Sequence, residues 1–299
     1  MTDAPAPDPA SADARLRQAF GASGPHRTLH AKGTYASGTF TASPRAAELG
    51  TAAHLQGSPI PVLVRFSNGS GNPTAPDKAP DVRGMSVSFK TGVGATDLLG
   101  QTAPRFPVKD PEKFVEMTEA VAAHTKPWKL AAFLVKNPGV LAPLAANARA
   151  GAIKPPKSFA QATYYPVHAY AWIAPDGSKR WVRYVWRPVD VAATADPAGS
   201  NWLAEELANR LARGPARWEL EVSVASESDD PHDPTSQWKP TETFVAGTLT
   251  VDASAADPEA DGSITVFDPT RIIPGVELSN DPILLFRAAA YSASANHRA

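Results

Sequence analysis

The order of strand-like and helix-like segments limits this chain to a few architectures. Alternating or β-branched runs predict strands over residues 28–41, 61–67, 81–90, 168–174, 180–187, 216–226 and 242–251. Apolar periodicity and capping residues predict helices over residues 11–20, 110–124, 127–136, 138–149, 201–213 and 282–297. Runs of strands beside runs of helices favour an α+β fold with a mainly antiparallel sheet, which a chain of this length can close into a barrel.

The chain is organised as one large unit with a short leading segment. Its 299 residues contain no internal repeat and no low-complexity linker that would divide them. Residues 1–10 are rich in Pro, Ala and Asp, and Ser11 is a candidate cap for a short helix that ends near Phe20. We therefore predict a mobile tail and short helix over residues 1–25 and a single domain over residues 26–299.

The composition excludes several classes of function. With no cysteine, the chain has no disulfide, no zinc–thiolate site, no iron–sulfur cluster and no thiolate-ligated haem. Its formal net charge of −1 and its scattered basic residues argue against a nucleic-acid partner. No stretch is long and apolar enough to span a membrane, and the N-terminus does not resemble a secretory signal. The expectations are therefore no membrane partner and a cytoplasmic location.

One pair of residues near the end of the chain suggests metal chemistry. Arg287 and Tyr291 are four residues apart in a predicted helix, so they share one face. A guanidinium beside a phenol oxygen stabilises the phenolate, and tyrosine is one of the few axial ligands that proteins offer to haem iron. The same spacing is common on solvent-exposed helices, where the ring covers the arginine stem, so the pair alone leaves both interpretations open.

The rest of the chain resembles the haem catalases in motifs that occur in the family's order. On the distal side these are Arg27-Thr-Leu-His-Ala-Lys-Gly33, Arg65-Phe-Ser67, Asp81-Val-Arg-Gly84, Asp97-Leu-Leu-Gly100 and Asp110-Pro-Glu-Lys-Phe114. On the proximal side they are Pro274-Gly-Val-Glu277, Ser279-Asn-Asp281, Arg287 and Tyr291. The chain stops where a full catalase continues into a wrapping segment and a helical domain. It therefore resembles the small catalase-related peroxidases, whose fold is an antiparallel β-barrel core with surrounding helices and the haem inside.

This resemblance implies haem b (iron protoporphyrin IX) as the cofactor and assigns its contacts. Tyr291 is implied as the iron ligand, with Arg287 stabilising the phenolate. Arg27, Arg65 and Arg298 match positions that hold the haem carboxylates, for which the planar guanidinium fork is well suited. Phe114 matches the aromatic residue that stacks on the porphyrin. NADPH is not expected, because the domain that helps to form its site has no counterpart here.

On the distal side, His30 matches the family's acid–base residue and Ser67 the hydroxyl that orients its ring. Thr102 falls at the position where typical catalases carry an asparagine that positions peroxide, and Gln101 is its neighbour. A threonine hydroxyl is shorter than an amide and has one donor instead of two. The sequence therefore predicts a catalytic role for Thr102, leaves open whether Gln101 takes that place, and predicts weak catalase activity.

The predicted function is a haem peroxidase that reduces hydrogen peroxide or an organic hydroperoxide with a small organic electron donor. Two alternatives remain at this point. One is a hydroperoxide isomerase like the catalase-related allene oxide synthases, and the other is a haem-binding or sensing protein without catalysis. Full catalases use long arms to hold tetramers together, and this chain lacks the second half of such arms. A monomer or homodimer is therefore expected.

Overall fold

The computed structural model describes residues 6–21, 24–123, 125–189 and 198–298. Within them, one antiparallel sheet contains all the named strands. The strands are β1 (Gly33–Ala42), β2 (Ile60–Asn68), β3 (Arg83–Thr91), β4 (Gly94–Gln101), β5 (Tyr170–Ile173), β6 (Lys179–Pro188), β7 (Ala216–Val224), β8 (Glu242–Ala255) and β9 (Val276–Leu278). Their spatial order is β4-β3-β2-β1-β8-β7-β6-β5-β9.

Seven α-helices accompany the sheet in the described part of the chain. They are α1 (Pro9–Ala19), α2 (Pro44–Leu49), α3 (Pro111–Ala122), α4 (Pro127–Lys136), α5 (Leu141–Arg149), α6 (Trp202–Leu211) and α7 (Pro282–Asn296). Four of them begin with a proline directly after a capping Asp or Ser whose side chain accepts a backbone N–H of the first turn. None of the described helices is long and apolar enough to cross a membrane.

The sheet is strongly curled, and its inner face is a packed aromatic core. Phe40 on β1 meets Trp186 on β6 edge-to-face, with ring centroids 6.0 Å apart, although two strands separate β1 from β6 in the sheet. Phe66 on β2 likewise lies 5.6 Å from Trp218 on β7. Such contacts require the sheet to bend around its own side chains. The predicted α+β class with an antiparallel, barrel-like core is therefore observed.

The opposite face of the sheet is where the chemistry-bearing residues lie. Along β2, Val64 and Phe66 enter the core, while the alternate residues Arg65 and Ser67 point to the other side. Helices α1, α3, α5 and α7 cover this second face and enclose a cavity with it. The space for a ligand therefore lies between the sheet and these helices, beside the filled interior of the barrel.

Several element boundaries differ from the sequence predictions for local reasons. The first strand begins at Gly33 instead of residue 28, because His30 has a left-handed φ of 55° that no strand accommodates. The cap of α1 is Asp8 instead of Ser11. The short elements α2, β4 and β9 were not predicted. Residues 1–5, 22 and 23 of the predicted tail lie outside the described residues, and the division at residue 25 stays a prediction.

A buried histidine in the core provides a test of this packing. His54 lies 5.1 Å from the Phe89 ring, its Nδ1 has no hydrogen-bond partner, and burial lowers its pKa to about 4. Below pH 6.5 the unfolded chain binds a proton at His54 that the folded chain does not, so this residue destabilises the fold as the pH falls towards 4. Relative to His54→Leu, the wild type is expected to lose up to about 1.4 kcal/mol of unfolding free energy per pH unit in this window. Denaturant titrations of both proteins at several pH values would measure this loss. If the unfolding free energies of the two proteins changed in parallel with pH, the expectation would be contradicted.

Candidate functional site

The cavity between the sheet and the helices has a volume of about 1150 Å³. Its walls come from β2, β3 and β4 on one side and from α1, α3, α5 and α7 on the other. Apolar side chains such as Phe106, Met117 and Phe286 form most of the lining. With the exception of Thr102, every sequence-predicted site residue lines it: Arg27, His30, Arg65, Ser67, Phe114, Arg287, Tyr291 and Arg298.

His30 is held at the cavity wall by three contacts that fix an unusual backbone conformation. Its N–H donates to the Gly69 carbonyl at 3.0 Å, and its carbonyl accepts from the Arg65 guanidinium at 2.9 Å. Its ring Nδ1 lies 3.0 Å from the Ser67 hydroxyl. His30 is the only non-glycine residue of the described ranges with a positive φ, and such a conformation persists where surrounding contacts determine it. The contact to Ser67 leaves Nε2 as the ring nitrogen without a partner among the described residues.

The sheet register explains why the ring fits there. Gly33, Ser67, Gly84 and Gln101 occupy directly paired positions on β1, β2, β3 and β4, so they form one row across the sheet. A Cβ on Gly84 would lie only 2.7 Å from the Ser67 hydroxyl and 2.9 Å from Nδ1 of His30. The missing side chain at Gly84 therefore makes the space that the imidazole occupies, between Ser67 and Gln101.

The surroundings of His30 keep its ring neutral. Burial is the larger cause, and the positive charges of Arg65, Arg287, Arg27 and Arg83 add to it, so that the pKa of His30 falls to about 3. A histidine with this pKa is unprotonated over the whole physiological range. It can accept a proton from a ligand in the cavity and donate it again.

On the other wall, α7 carries a chain of hydrogen bonds that ends on the Tyr291 oxygen. The Arg287 Nε donates to this oxygen at 2.9 Å, and its Nη2 donates to the same atom. The Arg287 Nη1 lies 2.8 Å from Nε2 of His168, and Nδ1 of His168 lies 2.6 Å from the Asp281 carboxylate. Because a guanidinium can only donate, His168 accepts at Nε2 and its Nδ1–H donates to Asp281. This series of hydrogen bonds places two N–H donors of Arg287 on the phenol oxygen and the buried carboxylate of Asp281 behind them.

His168 and Asp281 extend the site, and the sequence reasoning gave neither of them a role. Asp281 directly precedes the predicted last helix, and its Oδ1 accepts from the Ile283 and Leu284 N–H groups. Its Oδ2 is the atom that binds His168, and both side chains are at most 2% exposed. The available signal was a histidine inside an otherwise apolar strand pattern, which calls for a buried partner.

The predicted carboxylate-binding arginines gather at one polar end of the cavity. Arg27 donates to the Tyr35 hydroxyl at 3.0 Å and to Glu259 at 2.9 Å, and Arg298 donates to the same Glu259 oxygen at 2.5 Å. The buried Arg65 has no partner at its Nε. Arg27 and Arg298 share one carboxylate oxygen, and Arg65 has an unused donor. These three guanidinium groups can therefore donate hydrogen bonds to further anionic oxygens.

Thr102 is placed differently from the sequence prediction. Its hydroxyl donates to the Ala152 carbonyl at 2.6 Å and accepts from the Arg83 N–H at 2.9 Å, so it ties β3 to the segment after α5. It does not line the cavity. Gln101, at the end of β4, does line it, because consecutive strand residues point to opposite faces. The side-chain amide of Gln101 makes no hydrogen bond to another described residue.

These features fit a haem and do not fit a metal ion bound by side chains alone. The described residues contain no group of three or more His, Cys, Asp or Glu side chains able to hold a metal ion. An apolar cavity with an arginine cluster at one end matches a flat apolar macrocycle that carries two carboxylates. A supported phenol on one wall and a neutral imidazole on another match the two sides of its iron. Phe114, 5.1 Å from the Phe106 ring, provides an aromatic surface on the wall formed by α3.

The comparisons with known proteins agree with this geometry. Residues 21–299 match the family model described as Catalase. A catalase-related peroxidase of Mycolicibacterium paratuberculosis is 42% identical over 95% of this chain and 92% of its own length. A catalase-related peroxidase of Synechococcus elongatus is 32% identical over 93% of this chain and 85% of its own. Members of this family imply a haem cofactor.

Solved structures support the same fold at lower identity. A bacterial catalase covers 95% of this chain with a TM-score of 0.79 and 24% identity, and the match spans 59% of that catalase. A fungal catalase gives a TM-score of 0.78. The predicted family and fold class are both confirmed. Because the family model covers residues 21–299 and a 42% identical relative matches nearly the full length, this chain belongs to the catalase family.

Proposed function

We propose that this chain is a haem peroxidase that reduces hydrogen peroxide or organic hydroperoxides with a small organic electron donor, using haem b. The observation that carries the proposal is the convergence of two hydrogen-bonded systems, Ser67–His30 and Asp281–His168–Arg287–Tyr291, on one apolar cavity. Relatives named catalase-related peroxidases that share nearly the whole chain support the same reaction class.

On the distal side, His30 moves the proton. When bound, the haem supplies the iron that accepts the peroxide oxygen and the electrons for its reduction. The neutral His30 takes the proton from one peroxide oxygen and delivers it to the other, which leaves as water or alcohol. Ser67 fixes the ring through Nδ1, so that Nε2 is available for this transfer.

On the proximal side, Tyr291 would hold the iron through its phenolate oxygen. The two donors of Arg287 stabilise the anion, and His168 with Asp281 keeps the guanidinium in place. Arg27, Arg65 and Arg298 would bind the haem carboxylates, and Phe114 would stack on the ring. Glu259 already pairs with both Arg27 and Arg298, so these two arginines would serve Glu259 and the carboxylates together.

Gln101 is the amide that faces the distal side, and we expect its loss to affect the reaction with peroxide. Gln101→Ala is expected to lower kcat/KM for hydrogen peroxide by about tenfold or more, because the transition state loses a positioned donor. Thr102→Val is the matched comparison, one residue away. Since its hydroxyl serves the backbone, we expect a stability loss of about 1–3 kcal/mol with turnover per bound haem unchanged. The reverse pattern, with Thr102→Val impaired in turnover, would contradict this assignment.

The direct test of the proposed function is reconstitution of the purified chain with haemin. We expect a stoichiometric Soret band of a phenolate-ligated ferric haem and turnover of a dye donor with hydrogen peroxide and with cumene hydroperoxide. Oxygen release from hydrogen peroxide should be slow in comparison with dye oxidation. The absence of a Soret band after reconstitution would overturn the haem assignment. A Soret band without dye turnover would overturn peroxidase activity while leaving haem binding intact.

Three associated expectations stay predictions. They are the identity of the electron donor, a monomeric or homodimeric state, and a cytoplasmic location. No feature of the described residues favours the hydroperoxide isomerase or the non-catalytic haem protein over the peroxidase.

A further inference from the structure

One stretch of this chain has a charge very different from the whole. Between Glu119 and Asp176 the sequence contains no acidic residue, although the chain as a whole carries a formal net charge of −1. We call residues 120–175 the basic segment. Its basic residues are Lys126, Lys129, Lys136, Arg149, Lys154 and Lys157.

The basic segment also exposes apolar side chains on a helix that already buries another apolar face. On α4, Phe133 is buried, whereas Trp128 is 62% and Val135 83% exposed. At about 100° per residue, Trp128 and Val135 point within about 20° of each other and at least about 140° away from Phe133. A helix that is apolar on two opposite faces requires a second apolar environment. Leu141, at the start of α5, is also half exposed.

The charges around this second face are not neutralised by neighbouring elements. None of the side chains of Lys126, Lys129 and Lys136 is paired with an acidic group of the described residues, and all three are exposed. On α3, which packs against α4, Glu112 and Glu119 are both engaged by Arg15, and the exposed Glu116 forms no ion pair with these lysines. The lysines of α4 thus retain their positive charge next to Trp128 and Val135.

We propose that α4 and α5 form a docking surface for an anionic lipid bilayer. An exposed apolar strip with Trp on a helix that also carries lysines on its other sides is the pattern of a helix that lies in the membrane interface. A surface rich in Lys and Arg and free of acidic residues is attracted to anionic headgroups. The sequence predicted no membrane partner because it contains no span, and interfacial docking requires none.

The docking surface lies next to the rim of the cavity. Val121, at the end of α3, and Ile153, after α5, are both more than half exposed and both line the cavity. The rim of the cavity therefore adjoins the docking surface, and docking turns that rim towards the bilayer. This inference does not depend on the proposed peroxidase chemistry.

Vesicle binding by the full chain tests the proposal. We expect co-sedimentation with vesicles of phosphatidylcholine and phosphatidylglycerol at low salt, loss of binding at high salt, and little binding to phosphatidylcholine alone. We expect two variants to weaken binding at least about tenfold each. The first combines Trp128→Ala with Val135→Ser, and the second combines Lys126→Glu, Lys129→Glu and Lys136→Glu. The tryptophan emission should shift to shorter wavelength on binding in the wild type and not in Trp128→Ala.

Matched controls separate a local surface from overall charge. The charge control is a triple variant with Lys78→Glu, Lys90→Glu and Lys239→Glu, at exposed sites outside the basic segment. It changes the net charge as much as the triple variant of α4 does, and it should leave vesicle binding unchanged. Val93→Ser, at another exposed valine, is the apolar control. Equal binding by all variants, or by both kinds of vesicle, would overturn the proposal. A third result would also overturn the proposal: the wild type forms a dimer and does not bind vesicles, and Trp128→Ala with Val135→Ser dissociates that dimer. This face would then be an interface between copies. Dye turnover in solution reports the peroxidase independently.

Discussion

Replacement of Tyr291 by phenylalanine is expected to reduce peroxidase turnover by at least about 10³-fold, the upper end of the loss that one preorganised polar partner causes. The change removes one oxygen atom, and that oxygen is the acceptor of both Arg287 donors. With Tyr291 as the proposed iron ligand, its loss would leave the iron without an anionic ligand and the guanidinium charge without a phenolate to oppose it. Steady-state dye oxidation, normalised to bound haem, measures the effect.

The spectrum distinguishes loss of the ligand from loss of the cofactor. Tyr291→Phe should still bind haem through the cavity walls, with a Soret band that differs from that of the wild type. Tyr165→Phe is the control, because it removes another phenol oxygen next to the cavity; burial raises the pKa of Tyr165, so that it remains a neutral phenol. The turnover of Arg287→Leu should lie between those of Tyr291→Phe and Tyr165→Phe, with a loss of roughly 10–100-fold relative to the wild type. Full activity in Tyr291→Phe would exclude Tyr291 as the iron ligand.

The second large effect is expected at His30. His30→Ala should lower kcat/KM for peroxide by about 10²–10⁴-fold, the contribution of a positioned acid–base group. Ser67→Ala keeps the imidazole and removes only its orienting contact, so a smaller loss of roughly tenfold is expected. Rapid mixing of the haem-loaded protein with peroxide measures this step directly. Equal losses in the two variants would contradict this division of roles, in which the imidazole moves the proton and the hydroxyl only orients it.

The pH dependence of the same step follows from the environment of His30. An ordinary histidine, with a pKa near 6.5, would be protonated as the pH falls below 6, and the rate would fall with it. Because burial and the surrounding arginines lower the pKa of His30 to about 3, the ring stays neutral. The rate of the wild type is therefore expected to remain nearly constant from pH 7 down to pH 5. An acid limb centred near 6.5 would contradict this environment.

The sequence predicted the elements and contacts that depend on neighbouring residues. Helix α7 begins at Pro282 after Asp281, and α3 begins at Pro111 after Asp110, as the capping pattern indicated. Arg287 and Tyr291 meet on one helix face because four residues make about one turn. In each case the deciding interaction lies within a few residues of the chain.

What the sequence did not predict depends on register and on distant partners. Thr102 and Gln101 are adjacent, so only the pairing of Gln101 with Gly84 decides which of them faces the cavity. His168 and Asp281 are separated by 113 residues, and no local pattern joins them. The left-handed His30 makes the first strand begin later than predicted, because its conformation is imposed by Gly69 and Arg65 from other segments.

Asp281 also bears on how this site can change during evolution. One oxygen holds the first turn of α7, and the other holds His168, so a single carboxylate sets both the start of the helix and the tuning of its tyrosine. The neutral exchange Asp281→Asn in a descendant would retain much of the cap and lose the charge behind His168. Substitutions at this position would therefore disturb the start of α7 and the support of Arg287 together, so the two cannot be varied separately through this residue.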